Sequence, residues 1–117
     1  MEYKYSDFPF IILQKFLEKK YKLPLDKIAE NKIFNPLKLK STGFNPLRSN
    51  QQFEIIPSEI DNYYRKQELK GYVHDMAAAM FGGVAGHAGL FSTANEIATL
   101  MQMYLNKGTY NGNRFFS

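Results

Sequence analysis

Apolar residues recur at helical spacing in three separate stretches of the chain. In the first, Phe10, Leu13, Phe16, Leu17 and Tyr21 are set against Gln14, Lys15, Glu18, Lys19 and Lys22, the pattern of an amphipathic helix. Ser6 or Asp7 stands at the N-cap position, and Pro9 falls in the first turn, where its missing amide removes no hydrogen bond. This predicts a helix over residues 7 to 21, stopped by Pro24. A second starts there. Leu25, Ile28, Ala29 and Ile33 share a face until Asn35-Pro36 breaks the period, which predicts a helix over 25 to 34 forming a hairpin with the first. In the third, Ile97, Leu100, Met101, Tyr104 and Leu105 fit the same template. Thr93 and Glu96 have capping-box spacing, Lys107 suits the negative helix end, and Gly108 closes a helix over 93 to 107.

The intervening segments are less regular. From Pro36 to Gln52 the chain is rich in Pro, Gly, Ser, Thr and Asn without periodicity, and reads as a functional or docking loop. Phe53 to Ile56 reads as a short strand and Tyr72 to Met80 as a short Ala-rich helix. Gly82, Gly83, Gly86 and Gly89 follow closely, and Asn111-Gly112 reads as a tight turn between Tyr110 and Phe115. The expected fold is mainly α with little strand.

Composition narrows the class. A chain of 117 residues and 13.5 kDa, with 44% apolar and 22% charged residues, is one domain-sized globular unit, and 10 Phe with 8 Tyr supply core material. No apolar run approaches the ~20 residues of a membrane-spanning helix, and Met1-Glu2-Tyr3-Lys4 lacks a signal-peptide layout. The absence of cysteine excludes disulfides and thiolate chemistry. The net charge of +4 is concentrated between residues 15 and 40, where eight lysines face three acids without any Arg. That reads as a solvated helix face, and no nucleic-acid partner is expected.

Candidate chemistry is sparse. No serine lies in Gly-x-Ser-x-Gly or has Lys three residues later, so an autonomous nucleophile is missing. Gly83-x-x-Gly86-x-x-Gly89 has the wrong spacing for a dinucleotide loop and serves backbone freedom at a bend. His74-Asp75 and His87 are two histidines with one adjacent acid, better read as hydrogen-bonded or substrate-facing groups than as metal ligands; no metal or cofactor is expected.

The run Tyr5-Ser6-Asp7-Phe8, then Pro24-Leu25-Asp26, Ile33-Phe34-Asn35-Pro36-Leu37, Val73-His74-Asp75 and the block from Gly82 to Ala94 resembles the serine β-lactamase and penicillin-binding-protein-like hydrolases. The likeness is to the class C and esterase-like branch, including modules attached to family 3 glycoside hydrolases in Bacteroidetes-type proteins. The resemblance implies that residues 1–117 are a single partial domain, the helical subdomain inserted into an α/β serine hydrolase. It implies amide or ester hydrolysis through an acyl-enzyme, with a β-lactam, peptide or small ester as substrate, in the periplasm.

Of the family's three motifs, Ser-x-x-Lys, Tyr-x-Asn and Lys/His-Thr-Gly, only the second is matched, so the chain alone is expected to be inactive. Tyr5 takes the place of the general base and acid, and Asp7 the place usually held by Asn. A carboxylate there disfavours the phenolate, whose ordinary pKa is already ~10. His87 and Gly89 are the candidate substrate-binding residues, on a loop near the cleft rim. Helices that evolved to pack on an absent sheet leave apolar surface open, so a homodimer is expected through Phe10, Leu13 and Leu17 and through Phe115 and Phe116. The alternative reading is a non-catalytic helical module that binds a protein or carbohydrate through the long loop.

Overall fold

A computed structural model describes residues 2–48 and 54–116. Helix α1 spans Phe8–Tyr21, α2 spans Leu25–Ala29 and runs straight into a π-helical turn at Glu30–Phe34, α3 spans Met76–Met80 and α4 spans Ala94–Leu105. The strands are short and antiparallel. β1 (Gly43–Phe44) pairs with β4 (Leu90–Phe91), β2 (Glu59–Asp61) with β3 (Gln67–Leu69), and β5 (Thr109–Tyr110) with β6 (Asn113–Arg114). Among the described residues the chain is mainly helical, and no helix is long and apolar enough to cross a membrane.

The three periodic segments are helices within a residue or two of the expected bounds, and the Asn111-Gly112 turn joins β5 to β6. The second helix changes type in its last turn. Pro36 has no amide to give the Lys32 carbonyl, and neighbouring bonds span five residues, with Asn35 N donating to Glu30 O at 2.9 Å and Leu39 N to Phe34 O at 2.8 Å. The Ala-rich helix is confined to Met76–Met80, because Asp75 caps it there. Phe53 lies outside the described residues; 54–56 is not strand, and the nearest strand is β2.

Two features of the packing have no counterpart in the periodicity. The stretch from Pro36 to Gln52, described as far as residue 48, begins inside the fold, where Leu37 and Leu39 are buried with Phe34 and Met103 in the main core, against Ala29, Leu100, Tyr110 and Phe115. Lys38 between them takes a left-handed φ of 59°, a local conformation that leaves no periodic trace in the sequence. On α1 the apolar face is open at Phe10 and Leu13, as expected of helices that lack a partner layer, and the unexpected feature is a buried polar residue. Gln14 is its one buried residue, whereas Phe10, Leu13 and Phe16 are half or more exposed.

Gln14 is buried because it meets backbone. Its amide donates to Val84 O at 3.2 Å and accepts from Gly86 N at 3.0 Å, and Glu18 orients it from one turn away at 3.0 Å. The approach depends on Gly86, where a Cβ would sit 2.5 Å from the Phe10 carbonyl oxygen. The clamped loop packs Ala85 into a second small core with Val73 and Ala78.

Glu96 ties α4 to the first core. It does not close a capping box, and Thr93 makes no side-chain cap bond. Its carboxylate instead accepts from Lys40 N at 2.8 Å, Ser41 N at 2.9 Å and Thr42 Oγ1 at 2.5 Å. On the other side of the molecule Asp61 accepts from the amides of Tyr63, Tyr64 and Arg65 and from Arg65 Nε at 2.8 Å, while Arg65 also donates to the carbonyls of Val73 and His74. The Arg65 guanidinium is the main cause that holds the Asp61 carboxyl well below the usual carboxylate range, with the loop amides adding to it.

Replacing Gln14 by Ala is expected to lower the unfolding free energy by about 2 kcal/mol, because the Val84 carbonyl and Gly86 amide lose their partner; urea denaturation reads it. Burial pushes Glu96 upward, but the bonds from Thr42, Ser41 and Lys40 outweigh it and hold the carboxyl below its ordinary 4.5. The folded value being depressed, this stabilisation is fully present above pH 4.5 and is lost as pH falls through the folded value. The gap in urea midpoint between the native chain and Glu96→Gln is therefore expected to shrink between about pH 6 and about pH 3.

Candidate active site

The segment before α1 carries Tyr5 and Asp7. Asp7 occupies the N-cap position in a right-handed helical conformation, with no side-chain cap bond, so its carboxylate faces elsewhere. It accepts the Tyr5 hydroxyl at 2.8 Å, while Ser6 Oγ accepts the Phe8 amide at 3.3 Å. Tyr5 is 76% exposed. The hydrogen bond to Asp7, followed by the Asp7 charge, holds its phenol above the ordinary 10.0, so the neutral form persists throughout the physiological range.

Asp75 approaches from a different part of the chain. It caps α3, with Oδ1 accepting from Ala78 N at 2.7 Å, and the preceding residues are pinned by Arg65 through the carbonyls of Val73 and His74. The same Oδ1 lies 3.0 Å from His87 Nε2. The Ala78 amide is the largest influence on Asp75, burial opposes it, and the His87 contact adds to it, leaving the carboxyl below its ordinary value.

His87 reaches this point on the glycine-rich loop. Its ring is 3% exposed, and its Nδ1 is buried without a hydrogen-bond partner. It also lines an apolar groove of about 340 Å³ with Phe10, Leu13, Leu17, Ile33 and Phe44. Gly89 shapes the loop: its φ is +105°, and a Cβ there would run into the Gly83 carbonyl oxygen.

Tyr5, Asp7, Asp75 and His87 are thus brought together, with one donor atom each from Asp7, Asp75 and His87 lying within 4.8 Å of one another. His74 is not part of the cluster; it is exposed and faces Glu59 at 3.1 Å. A cation bound through His87 Nε2 would leave Nδ1–H buried without an acceptor, the reverse of the outer support that metal-ligating imidazoles have. The cluster is better suited to hydrogen bonding and proton exchange. Gln14 is the participant the sequence concealed, because it reads as part of a solvated face, whereas Asp75 stood out beside His74 as candidate chemistry without its partner being evident.

Comparison with known proteins gives the same direction. The chain is 40% identical over 124 residues to a protein of Salmonella agona whose name proposes a D-alanyl-D-alanine carboxypeptidase, covering 96% of this chain and 29% of that relative. It is 40% identical over 118 residues to an N-acetylmuramyl-L-alanine amidase of Bacillus subtilis, covering 91% of this chain and 27% of that protein. The chain therefore spans less than a third of the length of these relatives. No solved structure gives a significant match. The family model described as Beta-lactamase matches residues 2–114, and the chain belongs to that family.

Proposed function

We propose that the chain is the tyrosine-bearing helical subdomain of a serine hydrolase, a single partial domain of a longer protein, which cleaves an amide or ester through an acyl-enzyme. The observation that carries this reading is the exposed Tyr5 hydroxyl held by Asp7 beside the Asp75–His87 pair, in a chain of this family. Tyr5 exchanges a proton with a serine supplied from outside these residues. Because Asp7 keeps the phenol neutral, Tyr5 is poised as a donor to the leaving group, and it acts as a base when a cation such as the family's motif lysine offsets Asp7. The loop bearing His87 and Gly89 forms the wall of the cleft beside it.

The relatives' names favour a peptide substrate of cell-wall type over a β-lactam or small ester, and a periplasmic or extracellular setting. In a longer protein with activity toward a chromogenic ester, Tyr5→Phe is expected to lower kcat by roughly a hundredfold, while the 117-residue chain alone gives no turnover. Turnover by the isolated chain that survives Tyr5→Phe defeats the reading.

The open apolar face of α1 supports the further proposal that the chain alone forms a homodimer. Phe10 and Leu13 are 50% and 51% exposed, and Phe116 lies 39% exposed against the Tyr104 ring at 5.1 Å, while Phe115 is partly buried against the core. Sedimentation velocity at micromolar concentration is expected to show a dimer that Leu13→Glu dissociates. A monomer in both forms excludes this interface.

A further inference from the structure

The irregular segment after Pro36 leads, at residues 45–48, to a cavity that the hydrolase reading leaves unused. Asn45, Leu47 and Arg48 form one side of it, Tyr64 and Gln67 of the β2–β3 hairpin a second, and Tyr72 with the glycines at 71, 82 and 83 much of the rest. Its volume is about 380 Å³, within the range of small-molecule sites. None of Tyr5, Asp7, Asp75 or His87 lines it.

The walls are fixed. Asn45 Nδ2 donates to Gly82 O at 2.9 Å, and its Oδ1 fills the place that a Cβ on Gly83 would take. Gly71 admits the Leu47 side chain in the same way, since a Cβ there would lie 2.6 Å from Leu47 Cγ. Arg65 braces the hairpin side, its guanidinium held by Asp61 and by the carbonyls of Val73 and His74. Other polar groups of the lining are uncommitted. The Tyr64 and Tyr72 hydroxyls, the Gln67 carboxamide and the Arg48 guanidinium have no hydrogen-bond or ion-pair partner among the described residues. Tyr64 and Tyr72 are 60% and 50% exposed, which leaves ring surface open to a ligand.

We propose that this cavity is a binding subsite for a neutral pyranose of a glycan, with the Tyr64 and Tyr72 rings covering the C–H face of the sugar and Gln67, Arg48 and the phenols pairing with its hydroxyls. A pyranose has an apolar face edged by groups that both donate and accept. That matches aromatic rings edged by phenols and a carboxamide, whereas a purely apolar ligand would strip these polar groups of water without replacing it. An acidic peptide would have Arg48 alone to answer its charge, because Arg65 is already met by Asp61 at 2.8 Å and by Glu59 at 3.8 Å. The braced walls reduce the ordering that binding has to impose. The site lies outside the Tyr5 cluster and stands whether or not a longer protein cleaves an amide or ester.

The test is a titration of the isotope-labelled 117-residue chain with chitotriose and, separately, with cellotriose, followed by NMR of the backbone amides. At least one of the two sugars is expected to shift the amides around residues 45–48, 64–73 and 82–83, with a Kd on the order of 1 mM. Tyr72→Ala is expected to weaken binding at least about fivefold. Tyr64→Ala, at the more exposed position, does the same and decides the matter if the first variant loses its dispersed spectrum. Absence of shifts with both sugars, shifts confined to other residues, or an unchanged affinity in both tyrosine variants overturns the proposal. Binding of the acidic tripeptide alanyl-glutamyl-alanine at these residues in place of the sugars overturns it as well. Because no bond is cleaved in this titration, absence of ester turnover overturns the hydrolase reading alone.

Discussion

The side-chain amide of Gln14 is the joint on which the candidate site depends. A glycine-rich segment has little to bury and no regular backbone pairing, so its conformation is set from outside. Gln14 supplies a donor for Val84 and an acceptor for Gly86 from a single group, and Glu18 fixes which way that group faces. A leucine at this position would bury more apolar area and leave both backbone groups unpaired, which is the worse exchange inside a packed loop. With residues 84–86 fixed, Ala85 enters the second core and the His87 ring is carried under cover to Asp75.

Similar ties recur across the molecule, because the sheets are too small to organise it. Each has two strands of two or three residues. Long-range order comes from side chains that capture backbone: Glu96 on residues 40–42, Arg65 on residues 73–74 and Gln14 on residues 84–86. The Glu96 carboxylate secures this turn through two amides and a hydroxyl, where a capping box would use it for a single amide at the helix start. The helix start is left to the Ile97 amide and the Thr93 carbonyl, which pair at 3.0 Å.

These ties also explain which parts of the structure were legible in the sequence. The helices were legible, because period, breakers and Gly or Pro stops are local properties that agree in each of the three segments. Which face of α1 is covered was not, since periodicity reports where apolar residues lie and says nothing of what is opposite; Gln14 looks like a solvated residue until the loop is laid on it. Leu37 and Leu39 were hidden for the opposite reason, being core residues on irregular backbone. At the site, Tyr5 and Asp7 are neighbours in the chain and could be paired by inspection, whereas their proximity to Asp75 and His87 arises from folding and has no local signal.

The electrostatics of the cluster bear on the proposed division of catalysis between this chain and the rest of a longer protein. An Asn at position 7 would accept from Tyr5 without opposing phenolate formation; the carboxylate found there accepts more strongly and favours the neutral phenol. Among the described residues no Lys or Arg is paired with Asp7, and the two neighbouring acids add to the negative field around the hydroxyl. The phenol of Tyr5 is therefore held in its protonated form by the acids around it. A base that forms only when a second segment brings its cation makes proton abstraction conditional on assembly of the complete cleft. Under the proposed function, that is the reason an exposed tyrosine on a mainly helical unit is expected to stay inert while the unit stands alone.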